Sequence, residues 1–420
     1  MNSTIDFAAA KREYEELKSQ GLSLNMTRGK PSVEQLNLSN PMLHILDDEN
    51  VWTEDGIDCR NYGQPEGIVE ARQLFADMLK VPLENVIVPT TSSLEIMYDI
   101  LIYAIVLSLP GAPEAWAYRP KRKILCPSPG YDRHFALSET MGFESILIDM
   151  TPEGPDMKQV REAIDKYGCD VKAMWCVPIY SNPLGYTYSE AVCRELAEIE
   201  ACPEFRLILD MAYCEHHLYG LDQAESIPNM LDLCAEAGHP DRPLMVASMS
   251  KITFPGGGMG CLAASTDNLK WFYKLLSKRQ IGADKLNQLR HVRYLKDLDG
   301  LREHMRQMAD IIRPKFEVII DTFRDRLAGI EDVRWTEPKG GYFIGLYVPN
   351  GLASRIVELA AEAGVKLTPA GNPFPYKKDP NDNFLRIAPS FPPLREVKKA
   401  AAAIATCIRY AVAEQEEVNK

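Results

Sequence analysis

Residues 205–264 read FRLILDMAYC EHHLYGLDQA ESIPNMLDLC AEAGHPDRPL MVASMSKITF PGGGMGCLAA, and their pattern decides the fold. Two short, mostly apolar runs, 206–210 and 244–248, are too brief for helices and too apolar for surface strands. Between them lies a segment of helical period, 224–237, and a third run, 261–264, follows. The unit recurs upstream, with β-branched runs at 86–89, 123–126, 145–149 and 172–177 and helical segments at 66–79, 93–109, 156–167 and 189–200. Strands alternating with helices at this spacing predict an α/β fold: a mostly parallel, seven-stranded sheet covered on both faces, with right-handed crossovers.

Beyond this large domain, taken as 46–295, the pattern changes. One long amphipathic helix (302–327) is followed by a strand (342–347), a helix (353–363), a loop rich in Pro, Gly and Asn (369–382), a strand (383–388) and a last helix (394–413). Residues 296–420 thus read as a connecting helix and a smaller α+β domain. Residues 1–45, with a helix over 6–18, read as an N-terminal arm joining the small domain.

Composition bounds the function. The 420 residues carry 47 basic against 59 acidic side chains, net −12, an acidic balance that argues against nucleic-acid and membrane-surface partners. The most apolar helix, 96–109, contains Asp99 and stops at Pro110, which reads as a buried helix and not a membrane span. The N-terminus lacks a leader pattern, so a cytoplasmic location is expected. Ten cysteines without a C-x-x-C pair or a zinc spacing predict reduced thiols and no metal site.

In open α/β sheets, ligands bind outside the carboxyl ends of the strands. The strand ending at Pro89 runs through Thr90-Thr91-Ser92-Ser93 into a helix, which places hydroxyls and free N–H groups at a positive helix terminus. Asn182 stands in the turn Ser181-Asn182-Pro183-Leu184-Gly185. Asp210 ends its strand as a carboxylate in need of a partner, with the phenol of Tyr213 three residues on. Ser248 ends another strand, and Lys251 follows before the glycine run Gly256-Gly257-Gly258. A poorly solvated lysine there can serve as an amine nucleophile. Each part has a plainer reading alone: an N-cap, an Asn-Pro turn, a carboxylate on a helix end, a surface lysine. Together they match one ligand, pyridoxal 5'-phosphate. Lys251 would form the Schiff base, Asp210 would hold the ring N–H, Asn182 and Tyr213 the phenolic oxygen, and Ser92, Ser93 and Ser248 the phosphate.

With these residues in place the chain resembles the class I aminotransferase family. The resemblance is carried by Asn61-Tyr62-Gly63, Ser92-Ser93, Pro129-Gly130-Tyr131, Asn182-Pro183-x-Gly185, Asp210-x-x-Tyr213, Ser248-x-x-Lys251 and Arg386. Segments 24–31 and 284–291 resemble a bacterial aspartate aminotransferase subgroup. The resemblance implies an aspartate aminotransferase-like fold with Tyr131 stacked on the cofactor ring. It also implies a homodimer with shared active sites, in which Tyr62 reaches the neighbouring subunit's phosphate. Arg386 would grip the substrate α-carboxylate, with Gly29 helping. The family's phosphate arginine, about eight residues past the lysine, is replaced here by Gly258-Met259. A cation for a distal carboxylate would come from Arg28, Lys285 or Arg290.

The expected activity is ping-pong amino transfer from aspartate to 2-oxoglutarate, with Lys251 as proton shuttle and an amino acid and a 2-oxo acid as small-molecule partners. A broader amino-acid aminotransferase and a lyase are the alternatives. A non-catalytic sensor is disfavoured, because only about 20 residues precede the motif at Thr27, too few for a DNA-binding module. The pair His216-His217 reads as structural.

Overall fold

A computed structural model describes residues 5–418. The strands in chain order are β1 (Leu24–Asn25), β2 (Val86–Thr90), β3 (Lys123–Ser128), β4 (Glu144–Thr151), β5 (Gly154–Pro155), β6 (Val171–Cys176), β7 (Arg206–Asp210), β8 (Pro243–Ser248), β9 (Gly260–Ala264), β10 (Arg334–Trp335), β11 (Ile344–Tyr347), β12 (Val365–Lys366) and β13 (Phe384–Ile387). The large sheet has the order β2-β9-β8-β7-β6-β3-β4-β5. It is parallel from β8 through β4, while β9 runs antiparallel to both its neighbours. The seven expected strands are all present. The eighth, β5, is two residues that fold back antiparallel on the end of β4, too short to leave a sequence pattern.

Alternation along each strand divides the core between two faces. Ile124, Ile208, Leu244, Val246 and Leu262 face helices Ser93–Val106 and Thr266–Arg279 through Ile96, Ile100, Leu269 and Phe272. Their neighbours Leu125, Leu207, Leu209, Met245 and Cys261 belong to the other apolar cluster. That cluster continues into the three-stranded sheet β10-β11-β13 through Ile344, Leu346, Leu385 and Ile387.

Helix limits follow local chemistry. Gly67 turns the chain at φ +91°, its backbone close against Val88, so the helix expected from residue 66 starts at Val69. Pro228 and the cap on Asn229 shorten the helix expected at 224–237 to Met230–Glu236. The long helix begins earlier than expected, at Leu298, where the Asp297 carboxylate accepts the Gly300 N–H. Helices Asp132–Thr140, Thr266–Arg279 and Lys285–Leu295 were not anticipated. The N-terminal helix Phe7–Ser19 packs on Leu394–Val418, with Tyr14 stacked 4.8 Å from Tyr410, and β1 pairs in parallel with β12.

The cysteine expectation needs correction. Cys169 and Cys202 form a disulfide, Cα to Cα 5.3 Å, because they lie just ahead of the adjacent parallel strands β6 and β7. The remaining eight cysteines are free. No helix among the described residues is long and apolar enough to cross a membrane, and no group of three or more His, Cys, Asp or Glu there is placed to hold a metal ion.

Candidate active site

The carboxyl ends of β7 and β8 lie side by side, as Asp210 pairs in register with Val246, so the residues that follow them share one space. After β8 the chain curls at once: Ile252 and Thr253 both donate their N–H to Met249 O. Two side chains hold the turn at Lys251 O, the Tyr342 hydroxyl at 3.2 Å and His216 Nε2 at 3.3 Å. The Lys251 ammonium then lies 4.8 Å from the centre of the Tyr213 ring.

Asp210 is almost fully buried and has found its partner. Its Oδ2 lies 3.2 Å from His134 Nε2, and its Oδ1 accepts the Ala212 N–H. His134 stands on the unanticipated helix Asp132–Thr140, flat against Trp175, whose indole N–H donates to Ser138 Oγ. The nearest signal in the sequence was its place three residues after Tyr131. Tyr131 sits edge-on to His134, its phenol pushed up to about 12 by burial, with the Lys251 charge acting the other way. Burial first, then the Asp210 charge, pushes the Tyr213 phenol well above its ordinary range, against the opposing pull of Arg386 and of the Asn182 amide. Asn182 is buried, and its Oδ1 has no partner among the described residues.

The helix-end seat is formed but partly used. Ser92 Oγ caps helix Ser93–Val106 by accepting the Glu95 N–H at 3.4 Å. The Glu95 carboxylate folds back onto Thr90 and Thr91. The glycine run closes against this seat: a Cβ on Gly258 would stand 3.0 Å from Thr91 O and 3.1 Å from Ser250 Oγ. A side chain at 258 would therefore press on both, and they would have to give by a few tenths of an ångström. Cations approach from helix Lys285–Leu295 instead. Arg290 donates to Asn287 Oδ1, and Asn287 donates to Gly258 O, each at 2.7 Å. Arg290 Nε is buried without a partner among the described residues. Lys285 is committed elsewhere, donating to Asn61 O and Gly63 O on either side of Tyr62.

Arg386, on β13, is brought near Tyr131 and Tyr213 from the other sheet. Its guanidinium lies 5.0 Å over the Phe343 ring, Nη2 donates to Thr368 Oγ1 at 3.4 Å, and Nη1 lies 3.6 Å from Asp132 Oδ1. Gly29 packs on the same ring, so close that a Cβ there would fall 2.1 Å from Phe343 Cζ. Arg28 is exposed, and Tyr62, expected to act on the neighbouring subunit's site, is 79% exposed. The rings of His216 and His217 point apart, the first to Lys251 O and the second to the Tyr180 hydroxyl at 2.8 Å.

The chain matches the family described as aspartate amino-transferase over residues 2–419. This chain belongs to that family. It is 42% identical over 405 residues to the aspartate aminotransferase of Corynebacterium glutamicum, covering 96% of this chain and 93% of that protein. The crystal structure of an aspartate transaminase from the same species superposes with a TM-score of 0.94 at 41% identity, covering 97% and 96% of the two chains. A Thermus thermophilus α-aminoadipate aminotransferase, LysN, shares the fold at 20% identity with a TM-score of 0.75, covering 96% of this chain and 95% of its own. The protein is therefore an aminotransferase of the aspartate aminotransferase fold, as its motifs predicted. Sequence reasoning missed His134, Tyr342 and Asp132, residues that meet this aminotransferase's site only through tertiary packing.

Proposed function

We propose that this aminotransferase uses pyridoxal 5'-phosphate to move amino groups between aspartate and a 2-oxo acid such as 2-oxoglutarate. The observation that carries the cofactor assignment is a set of complementary groups at one edge of the large sheet. It comprises the Lys251 amine beside Tyr213, a buried carboxylate at Asp210, the unpartnered Oδ1 of Asn182, and hydroxyls at a helix N-terminus. That set fits a flat, cationic, phenolic aldehyde with a phosphate tail. When bound, the cofactor supplies a protonated heteroaromatic ring that draws electrons from the substrate Cα–H bond.

The chain's own residues do the rest. Asp210, fixed by His134 and the Ala212 N–H, keeps a positive charge at the ring nitrogen. Asn182 and Tyr213 would hydrogen-bond the phenolic oxygen, and Tyr131 would cover the ring. Ser92, Ser93 and Ser248 would hold the phosphate, with the Gly258 backbone and Arg290 closing the side where the family's arginine is missing. Arg386 binds the substrate α-carboxylate, and Gly29 gives it room beside Phe343. Lys251 Nζ takes the Cα proton and returns it, its backbone clamped by Tyr342 and His216.

Aspartate is favoured by the likeness to the 42% identical aspartate aminotransferase of Corynebacterium glutamicum. The broader-specificity reading has its own support: Lys285 is occupied by Asn61 and Gly63, which removes one cation from the distal-carboxylate role. We assign residues 1–45, 46–295 and 296–420 to arm, cofactor domain and small domain. The homodimer reading rests on the outward Tyr62, carried on a turn whose Asn61 and Gly63 carbonyls accept from Lys285. Absorbance spectra of protein reconstituted with the cofactor, with borohydride trapping and mapping of the labelled peptide, test the assignment; label anywhere but Lys251 defeats it. A screen of amino donors should then rank aspartate first, and ammonia release in place of a new amino acid would indicate the lyase.

A further inference from the structure

Arg386 is a guanidinium 10% exposed, and a buried cation requires an anion. In the resting protein that anion is Asp132. Its Oδ1 lies 3.6 Å from Nη1, a long, single-point contact, well short of the paired 2.7–2.9 Å bonds a guanidinium makes to a well-placed carboxylate. The remaining donors are poorly used: Nη2 reaches Thr368 Oγ1 at 3.4 Å, and Nε is buried without a partner among the described residues. The guanidinium is therefore neutralised but not saturated, a state that a two-oxygen carboxylate improves on.

Asp132 also has somewhere to go. Its side chain is 34% exposed, and it is the first residue of the nine-residue helix Asp132–Thr140, whose N-terminal N–H groups favour a carboxylate independently of Arg386. We propose that Asp132 is a built-in stand-in for the substrate α-carboxylate, holding Arg386 in the resting enzyme and yielding it when substrate arrives. Asp132 thereby lowers affinity for every substrate, amino acid and oxo acid alike. The inference rests on the assignment of Arg386 to the α-carboxylate. It makes Asp132 a positioning residue, not a catalytic one.

The test is binding of a non-reacting dicarboxylate, succinate, to the cofactor-loaded protein by calorimetry, with steady-state kinetics beside it. Asp132→Asn should bind succinate about tenfold more tightly, and KM for both substrates should fall while kcat does not rise. Asp132→Glu should stay within about threefold of the parent. In the Arg386→Gln background, Asp132→Asn should change nothing. Unchanged or weaker succinate binding in Asp132→Asn overturns the proposal, as does equal tightening in the Arg386→Gln background, which would mean a general field effect. Asp132→Ser repeats the measurement should the Asn variant fold poorly. If Arg386→Gln alone leaves succinate affinity intact, the carboxylate assignment itself has failed. If it abolishes binding while Asp132→Asn gains nothing, only the role of Asp132 has.

Discussion

His134 Nε2 stands 3.2 Å from Asp210 Oδ2 while the imidazole lies flat on Trp175, ring centres 4.4 Å apart and planes 8° from parallel. The stack fixes the imidazole plane, and the helix that carries it fixes its depth, so the Asp210 carboxylate is held in one rotamer before any ligand arrives. A buried carboxylate aligned in advance loses little entropy on binding a cationic ring.

Replacing His134 with Ala therefore weakens more than a contact. Asp210 keeps only the Ala212 N–H, and a hydrogen bond to a charged group is worth about 1.5–3 kcal/mol. Cofactor affinity should drop by roughly 10- to 100-fold, measured by fluorescence titration of the stripped protein. Wild-type affinity in this variant would show that Asp210 needs no such support.

Gly29→Ala tests the arm. The added methyl would overlap the Phe343 ring, which is buried and lies under Arg386. Overpacking of this kind costs about 1–3 kcal/mol, and a shift of the ring to relieve it disturbs the guanidinium stacked on it. KM for both substrates should rise severalfold alongside a lower melting temperature. A variant with unchanged KM would detach Gly29 from the substrate.

The parts of the fold that were legible in sequence were those with a strong local pattern. The apolar runs at 206–210 and 244–248 had to be buried strands, and Lys251 and Asp210 had to stand at one sheet edge because they follow neighbouring strands. The two-residue β5 left no pattern, and helix Asp132–Thr140 begins directly after a tight Pro-Gly-Tyr turn without a side-chain cap, so its start carried no signal. His134 and Asp132 were invisible for the same reason. Arg290 was legible only as one of three candidate cations for a distal carboxylate; that it reaches Asn287, the residue donating to Gly258 O, depends on how the helix Lys285–Leu295 packs. The disulfide joins residues 33 apart, and only strand pairing brings them together.

Away from the site, Lys172 and Glu204 form a buried pair at 3.1 Å, with side-chain exposures of 0% and 5%, and the ammonium also donates to Cys169 O. Glu204→Gln leaves an uncompensated charge in the core and should cost about 3–5 kcal/mol, read as a lower urea midpoint. The double variant Lys172→Met with Glu204→Leu should recover most of that loss. Failure to recover would show that the pair is needed for more than charge balance.

Acid should destabilise this protein through its buried histidines before its carboxylates titrate in bulk. Burial, followed by the Lys251 charge, holds His216 down at about 3; burial holds His291 at about 4 and lowers His304 as well. Hydrogen bonding agrees for His291, whose Nδ1–H donates to Asn287 O while Nε2 faces the Thr253 hydroxyl, an arrangement suited to the neutral ring. An unfolded histidine takes up its proton near pH 6.5, whereas these rings stay neutral in the fold until much lower pH. The unfolded state therefore binds more protons below about pH 6.5, and stability falls as pH drops. Each such histidine contributes a slope of up to about 1.4 kcal/mol per pH unit. The loss continues to about pH 4 for His291 and about pH 3 for His216. Urea midpoints taken between pH 7 and 5 should decline steadily. His291→Gln, which keeps a donor for Asn287 O and an acceptor for Thr253, should flatten the decline by about one proton's worth. An unaltered slope in that variant would place the acid sensitivity elsewhere.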